Sequence, residues 1–270
     1  MTESTLRRRM GAVVLPLLLL LGCAAVSQIN LIPTEDEVRM GAQFAQQIET
    51  ELKILDDPVV TAYADSLGQL LAAHSARTEI AYRFRVVDSD EVNAFALPGG
   101  FVYINRGLIA AADDEAELAA VIAHEIGHVV AKHGAKQLTR QYGLAAIATA
   151  ALGEDPGMIQ STAANILVTG ALMKYSRDAE NEADHLGVDE LVRSGIEPDG
   201  MVRFFEKIRE MQGREMSSVE RFFSTHPPTE ERIDYTRAYI ASIPGRERLT
   251  RDSDRFRRIR ERTGGIGESD

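Results

Sequence analysis

Hydrophobic positions alternate over one stretch of the chain and follow a helical period over most of the rest. Ile80, Tyr82, Phe84 and Val86 fall on one side of an extended segment, which predicts a strand over residues 80–87. Val92–Leu97 and Phe101–Asn105 read as two more strands, joined by the turn Pro98-Gly99-Gly100. Together they predict a small antiparallel sheet. Helical periodicity predicts helices over about 34–55, 58–74, 117–133, 135–152, 158–175, 178–193, 199–211 and 229–243. Thr34 with Glu37, and Asp114 with Glu117, have the spacing of capping boxes. The 117–133 segment is apolar almost all round, as a helix inside a core must be. The expected architecture is α+β and mostly helical, with the sheet just before the buried helix. Residues 244–270 are charged and lack an apolar period, which predicts a mobile tail.

The first residues carry a different signal. Arg7-Arg8-Arg9 precede the apolar run Gly11–Leu21 and the small residues Gly22, Cys23, Ala24 and Ala25. This is the anatomy of a secretory signal peptide, with an apolar run too short to span a bilayer. Leu20-Leu21-Gly22-Cys23 resembles a bacterial lipobox. The expectation is a lipoprotein signal over 1–22, a lipidated tether over 23–33 beginning at Cys23, and a domain over 34–243. A lipid on Cys23 would hold the protein at a membrane without a transmembrane helix. Ala24, where an aspartate would signal retention, implies an outer-membrane lipoprotein facing the periplasm.

Composition narrows the chemistry. The 270 residues carry 30 Lys and Arg against 41 Asp and Glu, a formal charge of −11. That balance argues against a nucleic-acid partner, which calls for a basic face. With one cysteine the chain forms no internal disulfide and no Cys-based zinc ribbon, so a metal site must draw on His, Asp and Glu.

Those residues converge at His124-Glu125-Ile126-Gly127-His128. Two histidines four apart lie about 40° from one another around a helix and one turn along it. Both imidazoles can then bind one zinc, with Glu125 placed to take a proton from a metal-bound water. Bare histidines and a glutamate inside an apolar helix are expensive, and a metal accounts for them better than packing does.

A catalytic zinc takes three protein ligands and keeps one position open. The HExxHxxGxxH continuation is absent: Ala131 and Gly134 stand at its Gly and last His positions. His133 is one place off, and on a helix running through 133 it points to another face. Glu180 and Asp184, four apart, share a helix face. Glu180 can bind zinc while Asp184 accepts a hydrogen bond from a liganding imidazole, the outer partner that zinc-bound histidines usually have. Glu182, about 200° from Glu180 around the helix, faces elsewhere.

With these residues in order, the chain resembles the HtpX- and CAAX-prenyl-protease-like zinc endopeptidases. The matching features are HExxH, Ser176-Arg177, Glu180-x-x-Ala183-Asp184, Asn93-Ala94-Phe95-Ala96-Leu97-Pro98-Gly99-Gly100 and Ser224-Thr225-His226-Pro227. The resemblance covers residues 34–243. It implies a zincin-like domain of gluzincin type, one zinc per chain, Glu180 as third ligand, and Asp184 as a motif aspartate sometimes described as a proton donor. Within the family it points to the periplasmic lipoprotein branch, without the TPR module some relatives carry. That branch hydrolyses unfolded or misassembled cell-envelope proteins. His226 is a further candidate, since in related envelope proteases a histidine at this motif can plug the zinc site. The contrasting expectation is a chaperone-like envelope assembly factor whose zinc is closed and structural. The 92–97 strand can offer a free edge to an extended peptide, and residues 153–175 can form a lid.

Overall fold

The computed structural model describes residues 32–169, 174–211, 222 and 224–264. Cys23 and the signal and tether segments up to residue 31 lie outside the described residues. In chain order the elements are α1 (Thr34–Ile48), α2 (Pro58–Ala72), β1 (Arg83–Val87), β2 (Ala94–Leu97), β3 (Phe101–Asn105), α3 (Arg106–Ala111) and α4 (Glu115–Val130). Then come α5 (His133–Tyr142), α6 (Leu144–Ala151), α7 (Pro156–Thr169), α8 (Arg177–Arg193), α9 (Asp199–Met211), α10 (Glu230–Ala241) and α11 (Asp254–Arg262). No helix of the described residues is long and apolar enough to cross a membrane.

The sheet is mixed, not antiparallel. Its order is β1-β3-β2, with β1 parallel and β2 antiparallel to β3. The tight turn after β2 folds β3 back beside it, and the turn needs glycine: Gly99 and Gly100 have φ of 78° and 93°. β1 then adds to the far edge of β3. Alternation along the sequence sets which face each residue takes but not the order of the strands. Both faces are covered. Val102 and Ile104 join one core with α2, α4 and α8, whereas Phe101 and Tyr103 join another with α1, α6 and α7. β3, central and covered on both faces, is buried throughout. The outer edge of β2 pairs with no strand among the described residues.

Caps explain several helix starts. Asp57 accepts from the amides of Val59 and Val60, with Pro58 in the first turn of α2. Asp114 accepts from Glu117 N at 3.0 Å, and Glu117 Oε2 accepts from Asp113 N at 2.9 Å. The Thr34–Glu37 box does not form, because α1 has no side-chain cap. Glu37 is instead buried and takes two hydrogen bonds from Arg77, at 2.8 and 2.7 Å.

The expected mobile tail is replaced, up to Gly264, by ordered structure. Ser253 caps α11, and Phe256 and Ile259 enter the main core. The segment just before α11 also closes the start of α4. Ala116 N donates to Arg251 O at 2.9 Å, and Glu115 N to Asp252 Oδ1 at 3.2 Å. Two apolar residues three apart among charges are too few to show as a period, yet they suffice to seat one short helix.

One buried group lies outside this scheme. Glu190 on α8 is 1% exposed, and neither carboxylate oxygen has a hydrogen-bond partner. Burial raises its pKa to about 9, against a smaller lowering by Arg193. The folded chain therefore favours the protonated acid. That advantage is complete below the unfolded value near 4.5 and fades as pH rises toward 9. Glu190→Gln should therefore gain up to about 3 kcal/mol over the parent near neutral pH. Denaturant titrations should show the gain shrinking toward zero as the pH falls to about 5. A gain that does not vary with pH would exclude this assignment.

Candidate metal centre

The centre is assembled by α4 and α8. Their axes come close because glycines face backbone where they touch. A Cβ added at Gly127 would lie 2.6 Å from Ala183 O, closer than real contacts allow. Gly187 packs in the same way against the backbone of Ala123 and His124. Ser176 caps α8 by accepting from Ala179 N, which starts the helix one turn before Glu180.

His124, His128, Glu180 and His226 are buried, and one ligand atom from each lies within 4.8 Å of all the others. His124 Nε2 is 3.0 Å from His128 Nε2, 3.3 Å from His226 Nδ1 and 3.4 Å from Glu180 Oε2. His226 Nδ1 is 3.2 Å from both oxygens of Glu180. Imidazole nitrogens and a carboxylate converging in a dry interior are the donor set of a zinc site. Two further atoms fit that reading. Glu125 Oε1 and His226 Nε2 are buried without hydrogen-bond partners and stand 3.5 Å apart. The residues present therefore suit a divalent cation.

Asp184 Oδ1 lies 2.7 Å from His124 Nδ1, on the side of the ring turned away from the cluster. Burial alone would lower the His124 pKa, but the Asp184 and Glu180 carboxylates together outweigh it and lift it to about 9. Burial raises the Glu125 pKa, and His226 and His124 partly oppose it. Glu180 resists the same effect of burial: His226 and Arg232 hold it well below the usual carboxylate range.

Arg232 is a site residue that sequence reasoning missed. It is buried on α10 and binds both oxygens of Asp184, at 2.6 and 2.8 Å, while its Nη1 is 2.9 Å from Glu180 Oε2. Its guanidinium sits over the Phe205 ring. Two buried carboxylates on one helix face call for a cation nearby, the one signal that could have pointed to an arginine here.

His133 is placed differently from expectation. α4 ends at Val130, and Lys132 takes a left-handed conformation with φ 57° and ψ 33°. The turn brings His133 back, so that its Nδ1 lies 2.8 Å from His128 Nδ1. Glu182 does face away from the cluster, but its Oε2 is 3.2 Å from His133 Nε2. A pattern that runs on as a helix hides such a reversal, because lysine is an uncommon left-handed residue.

A cavity of about 220 Å³ lies at the end of the sheet, where β1 and β3 finish and β2 begins. It is lined by Val87, Asn93, Phe95 and Asn105, by Ile166 and Leu167 of α7, and by Thr225 beside His226. The Ala96 backbone amide of the same strand interacts with the Glu125 carboxyl. Helix, edge strand and buried ligand cluster together form a zincin-like domain.

The sequence model of peptidase family M48 matches residues 58–240, which contain every ligand candidate. The chain belongs to peptidase family M48. It is 30% identical over 258 residues to the beta-barrel assembly-enhancing protease of Escherichia coli K12, covering 92% of this chain and 52% of that protein. It is 33% identical over 162 residues to the metalloprotease YcaL of the same organism, covering 59% of this chain and 62% of that one. The mitochondrial metalloendopeptidase OMA1 of Schizosaccharomyces pombe is 30% identical over 175 residues, covering 64% of this chain and 51% of that one. This M48 chain thus spans about half the length of the first of these relatives.

Proposed function

We propose that the chain is a zinc-dependent metalloendopeptidase that hydrolyses peptide bonds of unfolded or misassembled cell-envelope proteins. The observation that carries this reading is the meeting of His124, His128 and Glu180 beside a buried glutamate with an unpartnered oxygen. Zinc at this centre, one per chain, would polarise the scissile carbonyl and make its bound water acidic. Glu125 takes the water proton and returns it to the leaving amine, and its raised pKa suits both transfers. Asp184 orients His124 through Nδ1, which makes it a positioning group in this reading and not the proton donor. The free edge of β2 takes up an extended peptide by main-chain hydrogen bonds, which demand little of its sequence. That suits a substrate recognised by being unfolded. α7, at the rim of the cavity beside β2, is the lid element. The name of the 30% identical E. coli relative supports the envelope setting. The proposed location is the periplasmic face of the outer membrane, held by a lipid on Cys23.

His226 puts Nδ1 in the ligand cluster and turns Nε2 toward Glu125. This contact favours a latent state plugged by His226. It is also the observation behind the second reading, a chaperone-like factor with a closed structural zinc. Digestion of casein with and without a chelator, for the parent and for His226→Ala, separates the two. The expected result is chelator-sensitive cleavage, faster in His226→Ala. Cleavage that persists unchanged in chelator overturns the metallopeptidase reading. Zinc-loaded protein that cleaves nothing in either form supports the chaperone.

A further inference from the structure

We infer that His133 is a positioning residue for the metal centre, accepting a hydrogen bond from His128 and held in turn by Glu182. The inference rests on the zinc reading above and assigns part of the site to residues outside the ligand set. His128 presents Nε2 to the cluster, 3.0 Å from His124 Nε2 and 3.5 Å from Glu180 Oε1. That leaves Nδ1 for the 2.8 Å contact with His133 Nδ1.

The proton positions follow. An imidazole that binds a cation through Nε2 carries its hydrogen on Nδ1. His128 Nδ1–H therefore donates, and His133 Nδ1 accepts. The hydrogen of a neutral His133 then sits on Nε2, 3.2 Å from Glu182 Oε2, where it is donated to the carboxylate. Each ring nitrogen of His128 and His133 has one role, Glu182 Oε2 accepts the last hydrogen, and no proton is left over. The two metal-binding histidines are thus supported in different ways. His124 has a buried carboxylate directly behind it, whereas His128 has a neutral imidazole that ends on a half-exposed glutamate.

The backbone is arranged for this contact. Had α4 continued, His133 would lie about 140° around the helix from His128. Lys132 is the one non-glycine residue with positive φ among the described residues, and its turn brings the ring back. A left-handed residue with a Cβ is unfavourable, and such strain persists where surrounding structure holds it. Here α5 starts at His133 itself, and Tyr175 stacks on the His128 ring with centroids 4.2 Å apart. His133 is 4% exposed.

The test is zinc titration of the metal-free protein against a chromophoric chelator, with thermal melts of the metal-free forms alongside. It compares the parent with His133→Leu, His133→Asn, Glu182→Gln and His124→Ala. His133→Leu should bind one zinc about 10- to 100-fold more weakly while melting like the parent. In His133→Asn the amide oxygen falls near the place of Nδ1 and accepts the same hydrogen bond, so most of the affinity should return. Glu182→Gln, at an exposed carboxylate, should lose about threefold or less. Parent-like affinity in His133→Leu overturns the inference. So does weak binding in His133→Asn when its metal-free melt matches the parent. Should His133→Leu melt far below the parent, His133→Asn decides: parent-like affinity upholds the inference and weak binding overturns it. A parent that takes up no zinc, or His124→Ala that binds as tightly as the parent, overturns the metal-centre reading itself.

Discussion

Glu125→Gln is expected to keep zinc and lose peptide hydrolysis by about 10²- to 10⁴-fold, the usual worth of a general base. The amide nearly matches the carboxylate in shape and stays neutral, so the buried site is not disrupted. It cannot accept the proton of an attacking water. Glu125 is absent from the set of four converging ligand candidates, and it already resists ionisation through burial. Metal content should therefore be unchanged. Single-turnover cleavage of an unfolded protein, with zinc measured on the same sample, checks both halves. Cleavage at the parent rate would remove Glu125 from the mechanism. Loss of zinc would mean that it helps hold the metal.

Truncation after residue 249 is expected to unfold the domain or to lower its melting temperature by about 10 °C or more. The segment removed supplies Phe256, which is fully buried, and Ile259 to the core. Phe→Ala in a core alone costs about 3–5 kcal/mol. The truncation also uncovers the amides of Glu115 and Ala116 at the start of α4, the helix that carries His124 and His128. Losing such a cap adds about 1 kcal/mol. A total stability of about 5–15 kcal/mol leaves little margin for both losses. Phe256→Ala in the full chain should show an intermediate loss. A truncated protein that melts like the parent would mean that α11 contributes nothing to the fold.

How far the chain could be read without its structure differs from residue to residue. His124, Glu125 and His128 are four residues apart or less on one helix, so local geometry sets their relation. Glu180 and Asp184 are likewise related to each other by one turn. Their approach to α4 needs more: small residues at Gly127 and Gly187, whose meaning appears only when the facing backbone is known. Arg232 lies 48 residues from Asp184, and nothing around it in the sequence marks it as buried. His133 was misplaced because one left-handed residue ends a pattern that otherwise continues. The tail was misread because two apolar residues among charges show no period.

Sequence alone was enough for what depends on short separations: the alternating strands, the buried helix, the pairing of its two histidines and the shared face of Glu180 and Asp184. Packing determined what depends on long ones. It put β2 beyond β3, brought His226 and Arg232 to the ligand cluster, folded His133 back onto His128 and seated α11 against the start of α4. The physical reason is range. Helical and strand periods constrain residues within a turn or two of one another, whereas the partners of a buried charge are chosen by whichever surfaces the whole chain can close together.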